Sequence, residues 1–323
     1  MLDRFREPWS DRRAELLLGA LACAVLVTIV LMVLFVVQEA WPTIKHNGVV
    51  KWLGPGGNVD VQIGKMVNGD KNYHLRAWPL VWGTILTTGL AVIIATAFAL
   101  FSAIFIVEFA PDRLRAVLVP VVRLLAAVPS VIFGLIGILV LVPFVGNHIV
   151  TQSEKKSVEF VVQLTGASLL VAVIILTVMI VPIMIAIIVD ALYAVPRGWK
   201  EGAVALGVNR WRAMWTVSVR AARPAIIAAV VLASARALGE AIMLSMVSGS
   251  VGFAPNPFDG PLFFLEPLRP LASTIVEDAE SLQAPAVRSS VYAFALLLLV
   301  SSLFLSLAGF IAKQPMKKYG VRV

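Results

Sequence analysis

The chain has one cysteine, Cys23, and three histidines, His46, His74 and His148, among its 323 residues. A lone thiol closes no intrachain disulfide, and three scattered imidazoles form no ligand cluster, which argues against a disulfide scaffold and against a metal site. Charge is scarce too, at 14% of residues. No phosphate loop is present: the Gly64-Lys65 pair has Val59 where the G-x-x-x-x-G-K spacing requires glycine. No paired carboxylates or Ser/His/Asp set falls within the apolar stretches, so the chain does not read as an enzyme.

What it has is apolar length. Hydrophobic residues make up 59% and the mean hydropathy is +0.91. Six apolar runs, at 16–37, 81–107, 124–145, 167–189, 224–249 and 291–312, are each long enough to cross a hydrocarbon core of about 30 Å as a helix. The expectation is an all-α, polytopic membrane protein with six transmembrane helices. It divides into a charged arm (1–15), a first helix with a long loop (16–80), a five-helix core (81–312) and a tail (313–323). The first run, about 22 residues, exceeds the roughly 7–15 of a cleaved leader and reads as a retained anchor.

A net charge of +8 and a pI near 9.9 could suggest nucleic acid, but the distribution argues otherwise. With the N-terminus inside, 17 of the 27 Lys and Arg fall on the cytoplasmic side and nine in the longer outer loops. Positive-inside orientation accounts for that bias without a polyanion partner. The remaining cation is Arg236, inside the fifth run and roughly 18 Å along a helix from Pro224. An Arg at mid-membrane costs about 3 kcal/mol and ordinarily faces a bundle interior or a water-filled path. Glu240 lies four residues on, where a helix would pair the two charges and lower the cost of both. Such a pair either contacts an anion in transit or locks two helices together.

The Pro and Gly residues of the third run, Pro129, Pro143, Gly134 and Gly137, predict a broken helix supported by neighbours. Gly54-Pro55-Gly56-Gly57 predicts a turn in a long loop read as solvated. The loop 190–223 has six cations and three tryptophans, with a short helix predicted at 199–207 that ends on glycine, and a second amphipathic stretch at 210–220.

Within that loop stand Glu201-Gly202-Ala203, three residues, then Gly207, followed by Val217-Ser218-Val219-Arg220. This resembles the Glu-Ala-Ala…Gly signature of permease subunits of bacterial ATP-binding-cassette importers, with Gly202 at the first alanine position and Arg220 where proline is common. Leu125-Ala-Ala-Val-Pro-Ser-Val-Ile-Phe-Gly134, Ala235-Arg-Ala-Leu-Gly-Glu-Ala-Ile-Met243 and the Trp82-Gly83-Thr84 opening are similar to phosphate-importer permeases of the PstC type. The resemblance implies a type I importer permease fold in the bacterial inner membrane, with both termini cytoplasmic. It implies that Glu201, Gly202, Ala203 and Gly207 belong to a coupling helix and that Arg236 and Glu240 belong to the substrate pathway. It further implies a second, PstA-type permease, an extracytoplasmic phosphate-binding protein and two cytoplasmic ATPase subunits that hold ATP and Mg. This chain would bind no cofactor and contact membrane lipid. The alternatives are a permease for sulfate or molybdate, and an anion transporter working without ATP.

Overall fold

The computed structural model describes residues 9–69, 75–158 and 163–313. Most of the predicted arm, His74 and nearly all of the predicted tail lie outside the described residues. Among the described residues six helices are long and apolar enough to cross a membrane: Arg13–Asn47, Trp78–Phe109, Ser130–Ile149, Leu169–Tyr193, Arg210–Leu238 and Pro285–Ile311. We number these spans one to six.

Span four is the centre of the bundle: two thirds of its apolar window is buried, against none of span one's. Span two meets it along Ala91, Ala95, Ala99 and Ala103, all fully buried. A spacing of four keeps these small side chains on one helical face and lets the backbones approach closely. Span five does the same with Ala229, Ala233 and Ala237. Between lipid chains hydrophobicity does not drive helices together, so close packing of this kind carries the association. Span one packs against span six through its second half, where Phe35 meets Tyr292 edge-on, Glu39 pairs with Arg288 at 3.1 Å, and the hydroxyls of Thr43 and Ser289 lie 2.8 Å apart.

Two spans differ from the sequence expectation. The third starts at Ser130 rather than 124, because Pro129 cannot continue the preceding helix and turns residue 128 away from helical geometry. Asp112–Ala126 is a separate helix, and its Arg123 pairs with Asp190 at the end of span four, 2.8 Å away. The fifth span begins at Arg210, so the 210–220 stretch is its first turns, and it stops at Leu238 instead of running to 249. A short helix, Ile242–Val247, follows and seats on span three, where Gly134 and Gly137 face Met243, Met246 and Val247.

The long loop after span one is folded as well, contrary to its reading as solvated. The predicted turn is there, with Gly56 and Gly57 at φ of 103° and 87°, values that favour glycine. Beyond it, the helix Val59–Val67 buries Val59, Ile63 and Met66, one face at helical spacing. They join Trp52, which stacks on Phe294 of span six, in a second core at the end of the bundle opposite the 190–223 loop.

Overpacking the seam between span three and the short helix tests this arrangement. A Cβ on Gly137 would lie 2.5 Å from Val247 Cγ1, whereas one on Gly89 has nothing within 4 Å. Gly137→Val is expected to cost about 1–3 kcal/mol and to shorten the half-life of the purified protein in detergent, with Gly89→Ala neutral or mildly stabilising.

Candidate functional site

Span five ends where Gly239 follows Leu238, at φ −83° and ψ −1°, and the Gly239 N–H still reaches Ala235 O at 3.2 Å. The short helix then restarts at Ile242, and Glu240 sits in the gap. Its carboxylate Oε1 accepts from the Met243 N–H at 3.3 Å, so a negative charge caps the amide end of the new helix. At its other end Val247 O accepts from Ser168 N at 3.1 Å, which sets that end level with the start of span four. Glu240 therefore stands at the start of the short helix, away from the end that meets span four.

The break separates the two charges that the sequence paired. Glu240 is buried, 8% exposed, while Arg236 is exposed and has no ion-pair or hydrogen-bond partner among the described residues. The i,i+4 pairing expected from the sequence is not formed, because the helix that would align the residues ends between them. Arg236 instead shares an exposed stripe with Leu232, one turn back, along the flank of the alanine face that packs on span four. A guanidinium in an apolar span without a counter-charge among the described residues is suited to meeting an anion or a group from another subunit.

The second candidate element lies at the other end of spans four and five. The helix Arg197–Ala205 follows Pro196 and carries Glu201 and Gly202 exposed and Ala203 half-buried. It closes on Gly207 at φ 84°, a left-handed position that favours glycine, with the Gly207 N–H bonded to Val204 O at 2.9 Å. Asn209 then caps span five by accepting from Arg212 N at 2.7 Å. Trp199 and Leu206 stand out of this surface, Leu206 with 87% of its area free. The result is a short, firmly terminated helix that presents apolar side chains outward.

One cluster has no counterpart in the sequence reading. Arg269, buried at 5% exposure, pairs with Asp60 at 2.7 Å and with Asp278 at 3.0 Å. Its Nε also lies 2.8 Å from Glu277 Oε2, as an ion pair rather than an aligned hydrogen bond. Asp60 accepts in addition from Gly252 N at 2.6 Å, and Ser250 Oγ donates to Glu277 at 2.7 Å. The cluster thus fastens the helix of the long loop to the segment that follows the broken span. Burial works against the Arg269 charge, but Asp278, Glu277 and Asp60 outweigh it and hold its pKa above the ordinary value. Burial also raises Glu277 and Asp278, against the pull of Arg269. The partners of Arg269 stand up to 209 residues away, so no local spacing announces them.

These features define an integral-membrane permease component: a six-span bundle with a broken, charge-bearing helix and a protruding loop helix. Residues 95–317 match the family of binding-protein-dependent transport system inner membrane components, and the chain belongs to that family. It is 33% identical over 287 residues to a phosphate transport system permease protein PstC 1 of Mycobacterium tuberculosis, covering 84% of this chain and 83% of that one. To the phosphate transport system permease protein PstC of Pasteurella multocida it is 31% identical, over 75% of this chain and 76% of the other. A 41% identity to the probable ABC transporter permease protein YqgH of Bacillus subtilis covers 56% of this chain and 55% of that one. Among solved structures, a chain of a bacterial alginate ABC transporter in complex with an alginate-bound periplasmic protein superposes with a TM-score of 0.60 at 13% identity. It covers 97% of this chain and 99% of that one, a likeness of fold.

Glu266 supplies a pH test of the segment after the break. Burial first, and Asp259 next, raise its pKa from 4.5 to about 7, with the Asn256 backbone N–H opposing. A raised carboxyl holds its proton more tightly in the folded chain than in the unfolded one. Its contribution to stability is therefore complete below about pH 4.5 and lost as pH climbs to about 7. The midpoint of thermal unfolding is expected to drop between pH 5 and pH 8 by about 2 °C more in the wild type than in Glu266→Gln.

Proposed function

We propose that this chain is the PstC-type permease subunit of an ATP-driven phosphate importer and lines the path that phosphate takes across the membrane. The observation that carries the reading is Arg236: exposed, without a counter-charge among the described residues, and set beside a helix break in an apolar span. Phosphate crosses an apolar layer only if its charge is offset there, and a fixed guanidinium lowers the electrostatic barrier. Because Glu240 does not neutralise Arg236, the full positive charge is available to the anion. Glu240 takes the Met243 amide through Oε1, and its second oxygen is left for accepting a hydrogen bond from a protonated phosphate oxygen, which sulfate at neutral pH lacks. The PstC names of the relatives support phosphate over other oxyanions.

In this reading the 190–223 loop is cytoplasmic, as are both termini. The helix Arg197–Ala205, with Glu201, Gly202, Ala203 and the Gly207 stop, is the coupling helix that seats in an ATPase subunit. Exposed Trp199 and Leu206 suit an apolar socket. ATP and Mg belong to the two ATPase subunits. The path itself is completed by a homologous PstA-type permease opposite Arg236. A phosphate-binding protein delivers the anion to the face built from the 38–80 loop and the 248–284 segment.

The test is uptake of radiolabelled phosphate, at low external concentration, by cells lacking this chain, with and without its restoration. Restored uptake indifferent to excess sulfate and molybdate is the expected result. Competition by either one would assign another oxyanion, and no dependence on co-purifying ATPase would remove the importer reading altogether. Arg236→Gln is expected to lower uptake about tenfold or more with the complex still assembled. Glu240→Gln should narrow the preference for phosphate over sulfate; an unchanged preference would show that the carboxylate only caps the short helix.

A further inference from the structure

The Arg197–Ala205 helix packs mainly against the residues that follow it, 210–218, at the start of span five. On its other side a cavity of about 870 Å³ opens between it and the end of span two, lined by Glu108, Arg115, Arg197, Lys200 and Arg210 among others. A helix displaced toward open space moves nothing beyond it. An ion pair crosses the gap: Lys200 Nζ lies 2.5 Å from Glu108 Oε2, with the Glu108 side chain 12% and that of Lys200 33% exposed.

The receiving end of this bridge is built to be stiff. Glu108 stands on a π turn, Phe105–Phe109, whose widened ladder leaves carbonyls short of partners. Arg115 takes them up, donating from Nε to Ile106 O at 3.0 Å and from Nη2 to Val107 O at 2.9 Å and Ala110 O at 3.2 Å. A cation at the carbonyl end of a helix is also favoured by the helix dipole. Beside it Phe109 touches Trp211 and Phe101 meets Trp215, each at 6.2 Å between ring centres, which lays the end of span two on the first turns of span five. Span two is thus held by rings on one side and, among the described residues, by the Lys200–Glu108 ion pair to the loop helix on the other.

We propose that Lys200 and Glu108 are the link through which displacement of the loop helix is passed to span two. The inference rests on the coupling role proposed for that helix and adds a route: span two, moved at Glu108, shifts along its alanine face against span four. Both are positioning residues, since neither lies near Arg236. Breaking the pair by removing one partner leaves a largely buried carboxylate uncompensated, so a charge exchange is the informative change.

The experiment uses the intact transporter with its ATPase subunits, reconstituted in liposomes, and reads phosphate uptake and ATP hydrolysis together. Glu108→Lys and Lys200→Glu are each expected to lower uptake about tenfold while hydrolysis falls less, so that more ATP is spent per phosphate. The double exchange is expected to recover uptake to within about threefold of wild type. Glu108→Gln, which keeps shape and removes charge, should show the same raised ratio. Wild-type ratios in Glu108→Gln, or a double exchange no better than either single change, would overturn the link. Should the wild-type chain hold no ATPase subunit, the coupling role of the helix falls first and the link with it. An ATPase that stays bound to variants with unaltered coupling rejects the link alone.

Discussion

Inside a bilayer core no water stands ready for a backbone amide or carbonyl, so each interruption of a helix must be repaired by the protein itself. Three places in this molecule show such a repair. At the 239–241 break the Glu240 carboxylate takes an amide of the helix that follows. At the end of span two Arg115 takes three carbonyls freed near a π turn. Where span four begins, the Ser168 amide is satisfied by Val247. The repairs fix where side chains with charge stand, and so determine which charges are spent on structure and which stay available.

On that accounting Arg236 and Arg269 are opposites. Arg269 is ringed by three carboxylates and serves to join the long loop to the segment after the broken span. Arg236 has no such ring, and its nearest acidic neighbour in the chain is committed to a backbone amide. A buried, surrounded guanidinium stabilises an arrangement; a bare one in an apolar layer costs free energy that only a partner outside the chain offsets. The same contrast separates the two ends of the bundle. The Asp60 face is knitted together, whereas the 197–207 helix stands proud with Trp199 and Leu206 uncovered.

The spans were legible because hydrophobic length is a strong signal that needs no knowledge of neighbours. Their ends were not. Pro129 announced a break in the run at 124–145 but not that the span would begin only beyond it, while Gly239 interrupts its helix without lowering the local hydropathy, so the run at 224–249 hid its break. Conversely, the charged stretch 210–223 resembles a loop by composition yet continues as helix. For the candidate site, the short helix and its Gly207 stop were readable from local chemistry, since a left-handed terminus suits glycine. The positions of Arg236 and Glu240 were readable, but their relation was not, because a spacing of four means adjacency only while the helix persists. Arg269, with Asp60 more than two hundred residues away, left no trace in any window of sequence. Val59, Ile63 and Met66 did carry a helical period, too short to outweigh the polar residues around them.

Span one has a consequence for how the chain is made. Its apolar window is bare in the finished fold, and its main helical contact is with span six, through residues such as Thr43 and Ser289 that stand 246 positions apart. Span one leaves the ribosome well before span six and therefore waits in the bilayer until that partner is inserted. That requires it to be stable by its own backbone bonds and apolar surface, which a 35-residue span with an 18-residue window of mean hydropathy 3.2 satisfies. The closing of this pair is a late, long-range event in biogenesis, and the folded long loop, which shares its core with span six, is completed at the same moment.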